Sequence, residues 1–147
     1  MMRSRSVALF LLLASVGLVA TGCGEADPSV RVTGSVTKGG TGLAGITVSF
    51  IDTKNRQGGN TRGAISDANG KFELKALPGK YAVTLSKKVD STTGNAPPPD
   101  ADIGQLEADG KLKESMPAPY LDAATTPLSA DVPEKGGELQ PFAIEGG

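Results

Sequence analysis

The chain is 147 residues long, with 15 basic and 16 acidic side chains, one cysteine, no tryptophan and no histidine. That balance offers no electrostatic footprint for nucleic acid, whose binders cluster Lys and Arg. The missing histidine excludes Ser-His-acid triads and imidazole metal sites, and a single cysteine excludes a disulfide within the chain.

The first 22 residues read as a targeting segment. Residues 1–6 carry Arg3 and Arg5 without an acid, and residues 7–19, VALFLLLASVGLV, are apolar and uncharged. That run is shorter than the about 20 residues of a permanent membrane helix. Ala20-Thr21-Gly22 then precedes Cys23. A basic start, a short apolar run and small residues at the end describe a secretory signal peptide that is cleaved. Residues 1–22 are therefore expected to be removed, leaving Cys23 as the new N-terminus and residues 23–29 as a small, polar tether. The alternative is an ordinary signal peptide followed by a free or buried thiol. Thr21-Gly22-Cys23 resembles the lipobox of bacterial lipoproteins, with Ala20 where leucine is commonest. The resemblance implies a diacylglycerol on the Cys23 sulfur and an acyl chain such as palmitate on its amine. Two or three acyl chains exceed what stable anchoring needs, at about 0.8 kcal/mol per buried CH₂. Gly24 rather than Asp after the cysteine points to the outer membrane, facing the periplasm or the cell surface.

From Val30 the pattern has period two. In VRVTGSVT, Val30, Val32, Gly34 and Val36 share one face, which argues a half-buried strand. KGGTG (38–42) is a turn, and Ile46, Val48 and Phe50 form the inner face of a second strand. NRQGGN (55–60) is a loop and residues 61–66 a weaker strand. Asp67-Ala68-Asn69-Gly70 could begin a calcium loop, but Lys71 stands where a further ligand belongs. Asn-Gly between alternating runs reads instead as a hairpin turn. Phe72 and Leu74 then point inward, Leu77-Pro78-Gly79 turns with positive φ at the glycine, and Tyr81, Val83 and Leu85 follow on a further strand. Residues 88–118 form a Pro-rich loop or insertion without sustained alternation, with a small hairpin or helical turn allowed around Ile103 to Leu112, where Asp109-Gly110 is a turn signal. Leu128, Ala130 and Val132 mark the next strand, and Phe142 and Ile144 the last, where Pro141 forces an edge or a bulge. About seven short strands with Gly/Pro turns indicate an all-β sandwich over residues 30–147.

VRVTGSVTKGGTGLAGITVSF, SDANGKFEL, LPGKYAVTLSK and PAPYLDAATTPLSADV, in that order, resemble the carboxypeptidase regulatory-like domain. The resemblance implies a transthyretin-like (prealbumin-like) seven-stranded Greek-key β-sandwich. It carries no catalytic residue, because in carboxypeptidases such a domain accompanies the catalytic one. A hydrolase of purine breakdown on the transthyretin-like fold depends on histidines, which this chain lacks.

The remaining chemistry is sparse. Asp100 with Asp102, and Glu107 with Asp109, are carboxylate pairs in a hydrophilic segment, expected to be solvated rather than catalytic. No cofactor or metal site is expected. A glycan-binding module would present aromatic platforms, yet Phe50, Phe72, Tyr81 and Phe142 fall on inward positions and Tyr120 alone is unplaced. The expectation is a non-catalytic envelope protein, anchored to a membrane through Cys23, that engages an envelope protein or serves a structural role. A glycan partner is the alternative.

Overall fold

The computed structural model describes residues 28–54 and 61–145. The leader, Cys23 and the 55–60 loop lie outside the described residues, as does most of the tether. Within them the protein is all-β, built from two main sheets and one small ladder, with short helical turns at the side.

The first sheet centres on β1 (Val30–Lys38), whose Val32, Gly34 and Val36 alternate inward as the sequence spacing demands. Gly39 and Gly40 both take positive φ, 58° and 81°, so the chain reverses in two residues into β2 (Thr41–Gly42). That is the geometry a two-residue primed turn requires, and glycine supplies it without strain. Further along the same edge of β1, β5 (Lys71–Ala76) pairs antiparallel from Val30↔Ala76 to Ser35↔Lys71. The other edge receives the C-terminal strands in parallel: β10 (Gly137–Glu138) opposite Val32 and Thr33, and β11 (Phe142–Ile144) opposite Val36 to Lys38. From the Thr33↔Glu138 pair to the Val36↔Phe142 pair, β1 advances three positions and its partner four. The extra residue is a bulge, and Pro141, which has no N–H to donate, sits in it.

The second sheet has the order β4-β3-β6-β9, antiparallel throughout. Its strands are β3 (Thr47–Asp52), β4 (Arg62–Ile65), β6 (Gly79–Ser86) and β9 (Ser129–Val132). The chain crosses between sheets on both sides of β5. Asp67-Ala68-Asn69-Gly70, read from the sequence as a hairpin turn, is one of these crossings: β4 pairs with β3, while β5 pairs with β1. Only Gly70 takes a positive φ there, 78°. Its Cα lies so close to Val36, Gly42 and Leu43 that a side chain would meet backbone at 2.6 to 2.7 Å, and its carbonyl accepts from the Val36 amide at 2.8 Å. The glycine serves close approach to a neighbouring strand as well as the bend. The second crossing is Leu77-Pro78-Gly79, with Gly79 at φ 144°.

The sheets meet in one core of Val32, Val36, Ile46, Val48, Phe50 and their neighbours, most of them fully buried. Phe50 from the second sheet meets Phe72 and Phe142 from the first edge-on, with centroids 6.2 and 6.1 Å apart, and lies 5.7 Å from Tyr81. Phe72 and Phe142 stack at 5.8 Å. Offset and edge-on pairs of this kind add to the gain from burial. Val30 and Leu128, assigned inward from the alternation, are only partly buried against this core, because each stands at a strand end.

The stretch from 88 to 118 carries structure of its own. β7 (Lys88–Asp90) pairs antiparallel with β8 (Leu112–Glu114), and between them lies α1 (Ile103–Ala108). The helix has no buried residue and ends at Asp109-Gly110, the latter at φ 68°. Asp102 caps it, its Oδ1 accepting from the Gln105 amide at 3.0 Å. A 3-10 turn, Ala118–Leu121, then leads back to the core and inserts Tyr120.

Candidate functional site

Most of the polar residues singled out in the sequence serve the fold's own hydrogen bonds and ion pairs. The Asp67 carboxylate accepts from the Asn69 amide at 2.8 Å and the Lys71 amide at 3.0 Å, closing its own turn. Asp102 caps α1. Asp109 accepts from the Gln105 side chain at 2.9 Å and faces Lys111 at 3.5 Å. Glu107 faces Lys88 at 3.5 Å. Asp100, like the other three carboxylates of that segment, is exposed. Among the described residues no three acids or cysteines converge as metal ligands.

The aromatic residues give an equally clear result. Tyr120, unplaced by the sequence, is 5% exposed, and its hydroxyl accepts from the Glu145 amide at 3.0 Å. With Phe50, Phe72, Tyr81 and Phe142 also in the core, every aromatic ring among the described residues is buried. Tyr81 donates its hydroxyl to the Leu77 carbonyl four residues back, at 2.9 Å, fastening the Leu77-Pro78-Gly79 crossing. Burial pushes its phenol up, with Asp52 adding to the effect.

Among the described residues, two of the surface grooves are sizeable. One, of about 620 Å³, lies along β1 and β5 and is lined by Thr33, Ser35, Asp67, Lys71 and Glu73, with Ile65 of β4 at its rim. Ile65 is 68% exposed. The other, of about 460 Å³, runs between β9 and the β10–β11 segment, where each sheet ends. Pro127, Leu128, Leu139 and Pro141 make it partly apolar.

The residues that sequence reasoning passed over are those that fasten loops. Ser66, 4% exposed, accepts from the Ile46 amide at 2.9 Å and donates to the Leu43 carbonyl at 2.6 Å. Asp90 accepts from the Thr93 and Thr92 amides at 2.7 and 2.8 Å, and these bonds hold its carboxyl below the usual range. Glu114 is engaged on both of its carboxylate oxygens. It accepts from the Ser86 hydroxyl at 2.6 Å, the Lys87 amide at 2.7 Å and the Met116 amide at 2.9 Å. Burial alone would push the Glu114 carboxyl up. Those three donors and the Lys88 charge outweigh it and hold the group below the ordinary glutamate value. The sequence reads here as a loop or insertion, and nothing local marks this glutamate.

The chain matches no protein-family model, and no curated protein matches it. Among the described residues, no helix is long and apolar enough to cross a membrane.

Proposed function

We propose that the protein is a non-catalytic envelope lipoprotein, anchored through Cys23, whose β-domain serves as a protein-interaction or structural module of the carboxypeptidase regulatory-like type. The observation that carries the anchoring is the order basic residues, short apolar run, small residues, sole cysteine over residues 3–23. The non-catalytic reading is supported by the histidine-free sequence and by the fold's use of its carboxylates as caps, turn closers and fasteners. Support for the seven-stranded Greek-key, transthyretin-like arrangement comes from the strand order. β4-β3-β6-β9 forms one layer, and β1 flanked by β5 and by the parallel β10–β11 segment forms the other. In this reading β10 and β11 are one bulged strand and β2 is an extension of the β1 turn.

Among the described residues, no further strand pairs with the outer edges of β4 and β9, which suits recognition by strand addition. Glycan recognition is the weaker reading, because the aromatic faces on which sugars stack are turned into the core. Anchoring is tested by fractionating cells that express the wild type and Cys23→Ala, with the mass of the mature protein measured. Wild type should partition with membranes and carry the mass of a diacylglycerol and an acyl chain, and Cys23→Ala should be soluble or unprocessed. Equal partitioning of the two would refute the lipoprotein reading. Crosslinking in intact envelopes tests the module itself: saturable glycan binding with no protein captured would reverse the choice of partner.

A further inference from the structure

The segment 88–114 leaves the second sheet at the end of β6 and returns beside it at Met116. It holds itself together: the β7–β8 ladder closes its neck, and the Ser91 and Lys111 amides bond to Lys111 and Leu106 carbonyls at 2.8 and 2.9 Å. Its ion pairs, Lys88 with Glu107 and Lys111 with Asp109, are both internal. None of its residues belongs to the core cluster, although Val89 is buried. Among the described residues, the hydrogen bonds that join this segment to the rest of the molecule all end on one carboxylate. The Ser86 hydroxyl and Lys87 amide reach Glu114 from one side of the neck, and the Met116 amide from the other. Ser115, just outside, adds a backbone and a side-chain bond to the Lys87 carbonyl at 2.9 and 3.0 Å, so the hinge has fixed ends.

We propose that residues 88–114 form an arm that opens as one unit while the core stays closed, and that the Glu114 carboxylate is the latch setting how often it opens. The physical basis is the separation of the two sets of contacts. Opening the arm gives up its own ladder and the Glu114 bonds but exposes none of the Phe50-centred core, so it costs far less than global unfolding. A charged acceptor with three donors is the strongest single fastening at the neck.

Hydrogen exchange read by mass spectrometry on the full chain tests this. In the wild type, peptides covering 88–114 should exchange together and faster than those covering β1, β3 and β6. Glu114→Gln should accelerate the arm by roughly tenfold or more while the core peptides keep their rates. Ser86→Ala removes one of the three donors and should accelerate the same peptides by a smaller factor. An arm that exchanges at the core's rate in the wild type would overturn the proposal. So would Glu114→Gln leaving the arm unchanged or accelerating arm and core equally. If Glu114→Gln does not fold, the wild type and Ser86→Ala decide between the same outcomes.

Discussion

Single residues in this protein matter most where a small side chain or a hydroxyl satisfies a constraint set by a distant strand. Gly34 faces inward directly opposite Phe72 across the β1–β5 ladder. A Cβ at Gly34 would stand 2.6 Å from the Phe72 ring, which is already held by Phe50 and Phe142. The glycine therefore makes room for the ring, and the ring covers the strand's bare backbone. Ser66 acts at similar range, bonding a carbonyl and an amide some twenty residues earlier in the chain. Replacing Ser66 with Ala leaves the Ile46 amide and the Leu43 carbonyl without this partner. An unsatisfied buried group costs about 1–3 kcal/mol. We expect Ser66→Ala to lower unfolding stability by about that much in urea denaturation, with the slope against denaturant unchanged.

Among the elements, the short β7–β8 ladder is distinctive because its attachment is electrostatic rather than apolar. Glu114 has a folded-state pKa below its ordinary value, so its ionised form is the one the fold favours. Its stabilisation is complete above the ordinary glutamate value and is lost as the pH falls through the lowered folded value. Lys88 is the cation acting on Glu114 and shares its charge with Glu107, while Lys113 acts on Asp90 instead. Arm protection, corrected for intrinsic exchange, should thus stay level near neutral pH and fall at acid pH before the core opens. Exchange measured along a descending pH series reads this directly. Level protection down to the pH of global unfolding would show that the carboxylate contributes nothing to the neck.

At the scale of the whole molecule, stability rests on the two sheets meeting at Phe50. That ring is fully buried and meets Phe72 and Phe142 from the opposite sheet as well as Tyr81 beside it. Phe→Ala at such a position costs about 3–5 kcal/mol, a large share of the roughly 5–15 kcal/mol that holds a typical domain folded. Phe50→Ala should therefore shift the thermal or denaturant midpoint strongly and destabilise both sheets together, as a single transition with a common midpoint for probes on β5 and β6. Separate midpoints would mean that the sheets do not share one core.

Alternation by itself located most strands of the two main sheets and their buried faces, because a pleated chain half in water shows its period residue by residue, whereas β7 and β8 fell in a stretch without sustained alternation. Val32, Val36, Val48, Phe72 and Val83 were all legible in this way. Glycine and proline likewise marked the turns, through the backbone angles they alone allow or forbid, and the order of residues 3–23 marked the expected anchor. Which strands pair was decided only in three dimensions. The Asn69-Gly70 turn looks local but joins strands in different sheets, since its geometry suits a hairpin and a crossing alike and only the partners of β4 and β5 distinguish them. The same holds for Ser66 and Tyr120, whose partners lie some twenty or more residues away, and for the bonds of Glu114 to Ser86 and Lys87. A hydrogen bond over that separation leaves no periodic trace in the sequence, because it depends on where the whole fold places its two ends.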